Sequence, residues 1–134
     1  MVLKIDKKTS LKMIEKYFKE QMDFDGRVTA SPEIGWDGYG MNEHQVCKVF
    51  FKIRGKMKLL GNEVDAKLDV SDQEVNNAIA YCLMQDGYVL DSYELDCGLS
   101  SHSAGYGVEF SDSKPYFSGM EITIKEKTKK MEVN

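Results

Sequence analysis

"VCKVFFKIRGKMKLLGNEVDAKLDV", residues 46–70, is the stretch whose reading decides the fold. Through 46–60, Cys47, Val49, Phe51, Ile53, Met57 and Leu59 alternate with Lys48, Lys52, Arg54, Lys56 and Lys58. Through 63–70, Val64, Ala66, Leu68 and Val70 alternate with Asp65, Lys67 and Asp69. A period of two marks a strand with one face on a core and the other in water. Gly61-Asn62 lies between the runs and suits a primed two-residue hairpin turn. Closing the hairpin there sets Leu59 against Val64, Met57 against Ala66 and Ile53 against Val70 on one face. On the other face, Lys58 then meets Asp65 and Arg54 meets Asp69. A one-residue slip would invert both faces, so the sequence specifies which side is buried.

Helical spacing flanks this hairpin. In 10–22, "SLKMIEKYFKEQM", Leu11, Ile14, Phe18 and Met22 recur at helical intervals, with Ser10 or Thr9 as the expected cap. The mixed charges of Lys12, Glu15, Lys16, Lys19 and Glu20 describe a solvated face rather than a membrane-binding one. In 71–86, "SDQEVNNAIAYCLMQD", Ser71 and Glu74 form a capping box and Gly87 supplies the stop. The apolar stripe there is Val75, Ala78, Ile79, Cys82 and Leu83. Strands are expected at 88–96 and 116–125, with a short one at 107–110. "QMDFDGRVTASPE", 21–33, fails as a calcium loop at its first and twelfth positions and reads as a helix-terminating turn.

The expected fold is therefore α+β: a mostly antiparallel four- to five-stranded sheet with two helices, in the order α-β-β-α-β-β. Residues 1–125 are expected to form one domain and 126–134 a charged tail that frays. A chain of 134 residues is long enough to bury roughly two-thirds of its unfolded surface. No apolar run approaches the roughly 20 residues needed to span a bilayer. "MVLKIDKKTS" lacks the apolar stretch of a signal peptide, and three cysteines cannot all pair within one chain. These features predict a cytoplasmic protein with reduced thiols and no membrane contact.

Net charge is −4, but the charges segregate. Residues 46–70 carry six bases against three acids, whereas 71–113 carry eight acids and no Lys or Arg. One reading is an acidic surface that steers a basic partner onto itself; the other is a set of dispersed solvating groups. The basic strand also has two readings. Lys48, Phe50, Lys52, Arg54 and Lys56 could follow a phosphate backbone and stack a base, or could pair with cross-strand aspartates.

Two glycine-aromatic segments complete the inventory: "GWDGYGMNEH" at 35–44 and "HSAGYGVEF" at 102–110. Each leads into a strand rather than a helix, which removes the phosphate-loop reading. They are tight turns or, through Trp36, Tyr39, Met41 and Tyr106, an aromatic binding surface. Both histidines lie near cysteines, as His44-x2-Cys47 and Cys97-x4-His102. The four form a weak candidate for a tetrahedral zinc site, and Cys97 with His102 a weak candidate for a thiol nucleophile.

The expectation that emerges is a small non-catalytic binding protein without a cofactor. It docks Asp86, Asp91, Glu94, Asp96, Trp36, Tyr39 and Tyr106 onto a larger protein with a basic surface. A bacterial or phage accessory protein that inhibits a host nuclease would have this character. The alternatives are a nucleic-acid module using Lys48, Phe50, Lys52, Arg54 and Lys56, or a small metal- or thiol-dependent enzyme using Cys97 and His102.

Overall fold

The structure, a computed structural model, describes residues 1–103 and 111–125. Tyr106, the expected strand at 107–110 and the tail 126–134 lie outside the described residues. The fold is α+β, with two helices and six strands in two antiparallel sheets. The elements in chain order are β1 (Val2–Asp6), α1 (Lys7–Met22), β2 (Asp25–Asp37), β3 (His44–Leu59), β4 (Asn62–Val70), α2 (Asp72–Gln85), β5 (Val89–Ser103) and β6 (Ser111–Lys125). One sheet runs β1-β6-β5 and the other β2-β3-β4. Two strands thus add to the expected order, β1 before the first helix and β2 after it.

The β3–β4 hairpin forms, but its register is offset by two residues from the expected one. Leu59 pairs with Asn62, Met57 with Val64 and Phe51 with Val70. The turn is therefore Leu60-Gly61, both at positive φ (53° and 81°), as a primed turn requires. An even offset leaves every side chain on its expected face, which is why alternation alone could not distinguish the two registers. The register adopted opposes Lys58 to Glu63, Lys56 to Asp65 and Lys52 to Asp69, three complementary pairs rather than two.

Helix α1 begins three residues before its expected start. Asp6 is the cap, accepting the Thr9 N–H at 2.7 Å, and Ser10 donates its hydroxyl to the Asp6 carbonyl at 2.7 Å. Ser10, Ile14 and Phe18, spaced four apart, are buried on one face. Asp23 ends the helix in the left-handed region, with the Phe24 N–H returning to the Phe18 carbonyl at 3.0 Å. The capping box of α2 is present, with Ser71 and Glu74 bonded reciprocally, and Gly87 at φ 82° closes its other end. Tyr81 donates to Glu20 at 2.7 Å and ties the helices together.

The core joins both helices to both sheets. Ile14, Phe18, Ile79, Ile53 and Ile122 are fully buried, and Phe51 of β3 meets Phe117 of β6 edge to face at 5.4 Å. β2 was hidden in the sequence by Gly26, Pro32 and Gly35. It is an edge strand, so Pro32 withholds no hydrogen bond from the sheet. On its outer edge the Val28 N–H donates to Glu15 at 2.8 Å, a side-chain substitute for a missing strand.

Two outcomes check this account. Leu60 is 95% exposed and strained, so Leu60→Asn should raise Tm by about 3 °C by relieving roughly 1 kcal/mol of left-handed backbone cost. Were the turn at Gly61-Asn62, the same change would lower Tm. Asp6→Ala should lower Tm by about 3 °C. The hydrogen bond from Thr9 holds the Asp6 carboxyl below its ordinary value. The cap's contribution is therefore complete above about pH 4 and lost as pH falls through that lowered value, which acid titration of the variant and parent would show.

Candidate functional site

β2 and β3 outrun the core that their middle covers. They remain paired as far as Asp37 opposite His44, well past the last buried pair, Val28 and Ile53 with Phe51 beside it. The ribbon is closed by a short 3-10 turn over Gly40–Asn42. Here the Asn42 N–H reaches the Tyr39 carbonyl at 3.0 Å, and the Glu43 N–H the Gly40 carbonyl at 3.3 Å. The Asp37 carboxylate accepts the Gly38 N–H at 2.9 Å. Gly38, at φ 96°, is required because a β-carbon there would fall 2.3 Å from the Asn42 carbonyl oxygen. This bonded end holds its large side chains in water: Trp36 is 57% exposed, Tyr39 93% and Met41 fully so. Ile34, on the same strand face as Trp36, is also exposed.

The carboxylates expected to accompany these aromatics divide among three places. Glu94 and Asp96 share the outer face of the β1-β6-β5 sheet, where Glu94 lies opposite Glu121 and Asp96 opposite Gly119. Asp91 sits at a register shift in β5, on a cavity of about 460 Å³ that Tyr81 and Met84 also line. Asp86 is the residue that ends α2. Trp36 and Tyr39 belong to the other sheet's hairpin. The acids nearest them in the ribbon are Glu33, Asp37 and Glu43, which the sequence reading did not select. The available signal was the absence of Lys and Arg from residues 28–47.

The basic strand residues all point outward on the β2-β3-β4 sheet, and each is exposed. Cross-strand neighbours complement most of them. Lys48 lies opposite Glu33, Lys52 opposite Asp69, and Lys56 between Asp25 and Asp65. Arg54 departs from the pattern, because it lies between Arg27 and Lys67. Phe50, 49% exposed, is the one large apolar side chain exposed on that face among the described residues.

Cys47 and Cys97, fifty positions apart, come together where the two sheets meet. The Cys47 thiol lies 3.4 Å from the Tyr116 carbonyl and the Cys97 thiol 4.0 Å from the Cys47 carbonyl. Both line a cavity of about 560 Å³ with Val70 and Leu95. His44 does not join them: its ring contacts the Asn42 carbonyl at 3.1 Å, and it lies an odd number of residues from Cys47 along the strand, hence on the opposite face. The His102 side chain lies outside the described part of the structure. Among the described residues no three His, Cys, Asp or Glu side chains gather as metal ligands would. Cys82, half-buried, donates to the Met13 carbonyl at 3.5 Å between the helices. No helix among the described residues is long and apolar enough to cross a membrane.

Compared with protein-family models, curated proteins and solved structures, the chain matches none.

Burial first, and then the neighbouring Cys47 thiol, push the Cys97 thiol up to about 11. A raised value favours the neutral thiol, so Cys97 resists alkylation at pH 8 and gains reactivity as pH rises toward 11. Mass-resolved alkylation should show Cys97 lagging well behind the same residue in urea at pH 8. Equal rates in both states would contradict this placement.

Proposed function

We propose that the protein is a non-catalytic, cytoplasmic binding protein that seats the end of its β2–β3 ribbon on a larger protein with a basic surface. The observation carrying this reading is that Trp36, Tyr39 and Met41 stand in water on a backbone closed by its own hydrogen bonds. Leaving such side chains solvated costs free energy that a pocket on a partner would recover. Trp and Tyr bring large contact area with few rotatable bonds, so little entropy is lost when they are immobilised. A backbone that is already ordered lowers the cost of association further.

The charge of the ribbon end selects the partner. Asp37 and Glu43 flank the turn that carries Tyr39 and Met41, while Glu33 farther along the ribbon is complemented by Lys48 opposite it, so the tip itself is acidic. An acidic tip speeds encounter with a basic surface and disfavours acidic ones. Nucleic-acid-binding proteins present basic grooves of this kind, so occluding the groove of a nuclease is the form of action proposed. Glu94, Asp96 and Glu121, the last lying between Glu94 and Lys4, form a second and mainly acidic face, available to a partner large enough to reach it.

A photo-crosslinking phenylalanine analogue at position 39 tests this in a lysate of the native cell. It should attach to one basic protein. Trp36→Ala with Met41→Ala should weaken that complex by at least about ten-fold. Tm should stay within about 2 °C of the parent because neither side chain is in the core. Retention of the partner by the double variant would overturn the reading.

A further inference from the structure

On the outer face of the β2-β3-β4 sheet, four of the five charged rows alternate in sign across the strands. The fifth sets Arg27, Arg54 and Lys67 side by side. Like charges directly opposite one another oppose sheet formation, so this row departs from the rule its neighbours obey. Such local departures concentrate where a site has been built.

Helix α1 directs further cations to the same place. Lys12, Lys16 and Lys19, spaced four and three apart, lie on one face of α1. With Arg27 and Arg54 they line a cleft of about 530 Å³ between the helix and the edge of the sheet. Three carboxylates share that cleft with the five cations: Asp25, which lies opposite Lys56, and Glu15 and Glu20, which are held by hydrogen bonds and each approach one of the cations. Glu15 accepts the Val28 N–H at 2.8 Å and lies 4.0 Å from Arg27, while Glu20 accepts from Tyr81 at 2.7 Å and Gln85 at 3.3 Å. Glu20 also lies 3.9 Å from Lys16. Among the described residues, Lys12, Lys19, Arg54 and Lys67 have no carboxylate within 4.0 Å. The cations thus outnumber the carboxylates in the cleft, and the Arg27-Arg54-Lys67 row carries the excess of positive charge across all three strands.

We infer that this band of cations binds the phosphate backbone of a nucleic acid. Its length matches a chain of phosphates better than a single anion: the lysine stripe covers about 10 Å of helix and the cross-strand row about 10 Å more. Arg54 and Arg27 present planar donors suited to phosphate oxygens. The face carries too little exposed apolar surface to enter a lipid headgroup layer, since Phe50 stands alone there. Phe50, four residues from Arg54 and on the same face of β3, is placed to stack a base. The inference is independent of the docking role of the β2–β3 ribbon end.

The test uses the full chain and a fluorescent single-stranded oligonucleotide of about 20 residues, titrated from about 50 mM salt upward. Contact with all six cations predicts a log–log salt slope near −4. Arg54→Glu should weaken binding at least five-fold and flatten the slope by about 1. The same change should raise Tm, because it converts a like-charged row into an alternating one. Loss of binding with a gain in stability is an outcome that a structural role for Arg54 does not produce. The paired swap Lys58→Glu with Glu63→Lys, in a complementary row, should leave affinity within about two-fold. The inference is overturned if the oligonucleotide does not bind at low salt or if Arg54→Glu binds like the parent. It is equally overturned if only vesicles rich in phosphatidylserine bind, or if inorganic tripolyphosphate competes as well as the polymer.

Discussion

The structure depends on a mismatch of length in β3. This strand has 16 residues, about 50 Å of extended chain, but only Phe51 and Ile53 near its middle are buried. Those two residues bind the second sheet to the rest of the molecule, Phe51 by its edge-to-face contact with Phe117 and Ile53 by complete burial. Because a strand alternates rigidly, fixing two inward residues fixes every other position as well. The outward residues become a charged surface, and the parts of the ribbon beyond the core carry apolar side chains into water.

Two distinct surfaces follow from that one constraint. At one end of β3 the ribbon projects Trp36, Tyr39 and Met41 beside Asp37 and Glu43. Across its middle the outer face carries the row of Arg27, Arg54 and Lys67, which α1 extends. The net charge of −4 conceals this separation, because it averages regions of opposite sign.

Local signals in the sequence were reliable where they were self-contained. The faces of β3 and β4, the capping box at Ser71 and Glu74, and the stop at Gly87 were all legible from residues within a few positions of one another. The hairpin register was not, because registers two residues apart present identical faces and differ only in which charges meet. β1 was missed for another reason. Five residues carry too little periodicity, and its partner β6 lies more than a hundred positions away. Thr9 and Ser10 are both good capping residues, yet Asp6, earlier in the chain, takes the role.

By itself, then, the sequence determined the α+β class, the two helices, which residues of the central hairpin share a face and the exposure of its cations, although Met57, Leu59 and Leu68 on the expected core face lie beyond the core and stay exposed. Those properties arise from short-range spacing, which the chain carries wherever it goes. Only the tertiary structure decided that the strands form two three-stranded sheets, that Cys47 meets Cys97 and that His44 faces away from them. It also divided the acids, setting Glu94 and Asp96 on one sheet face, Asp91 beside α2 and Asp86 at its end, and it brought Arg27 and the lysines of α1 to Arg54. Each of these depends on which distant segments pack together, and that is decided by the shared burial of Phe18, Ile53, Ile79 and Ile122, residues that no local pattern connects.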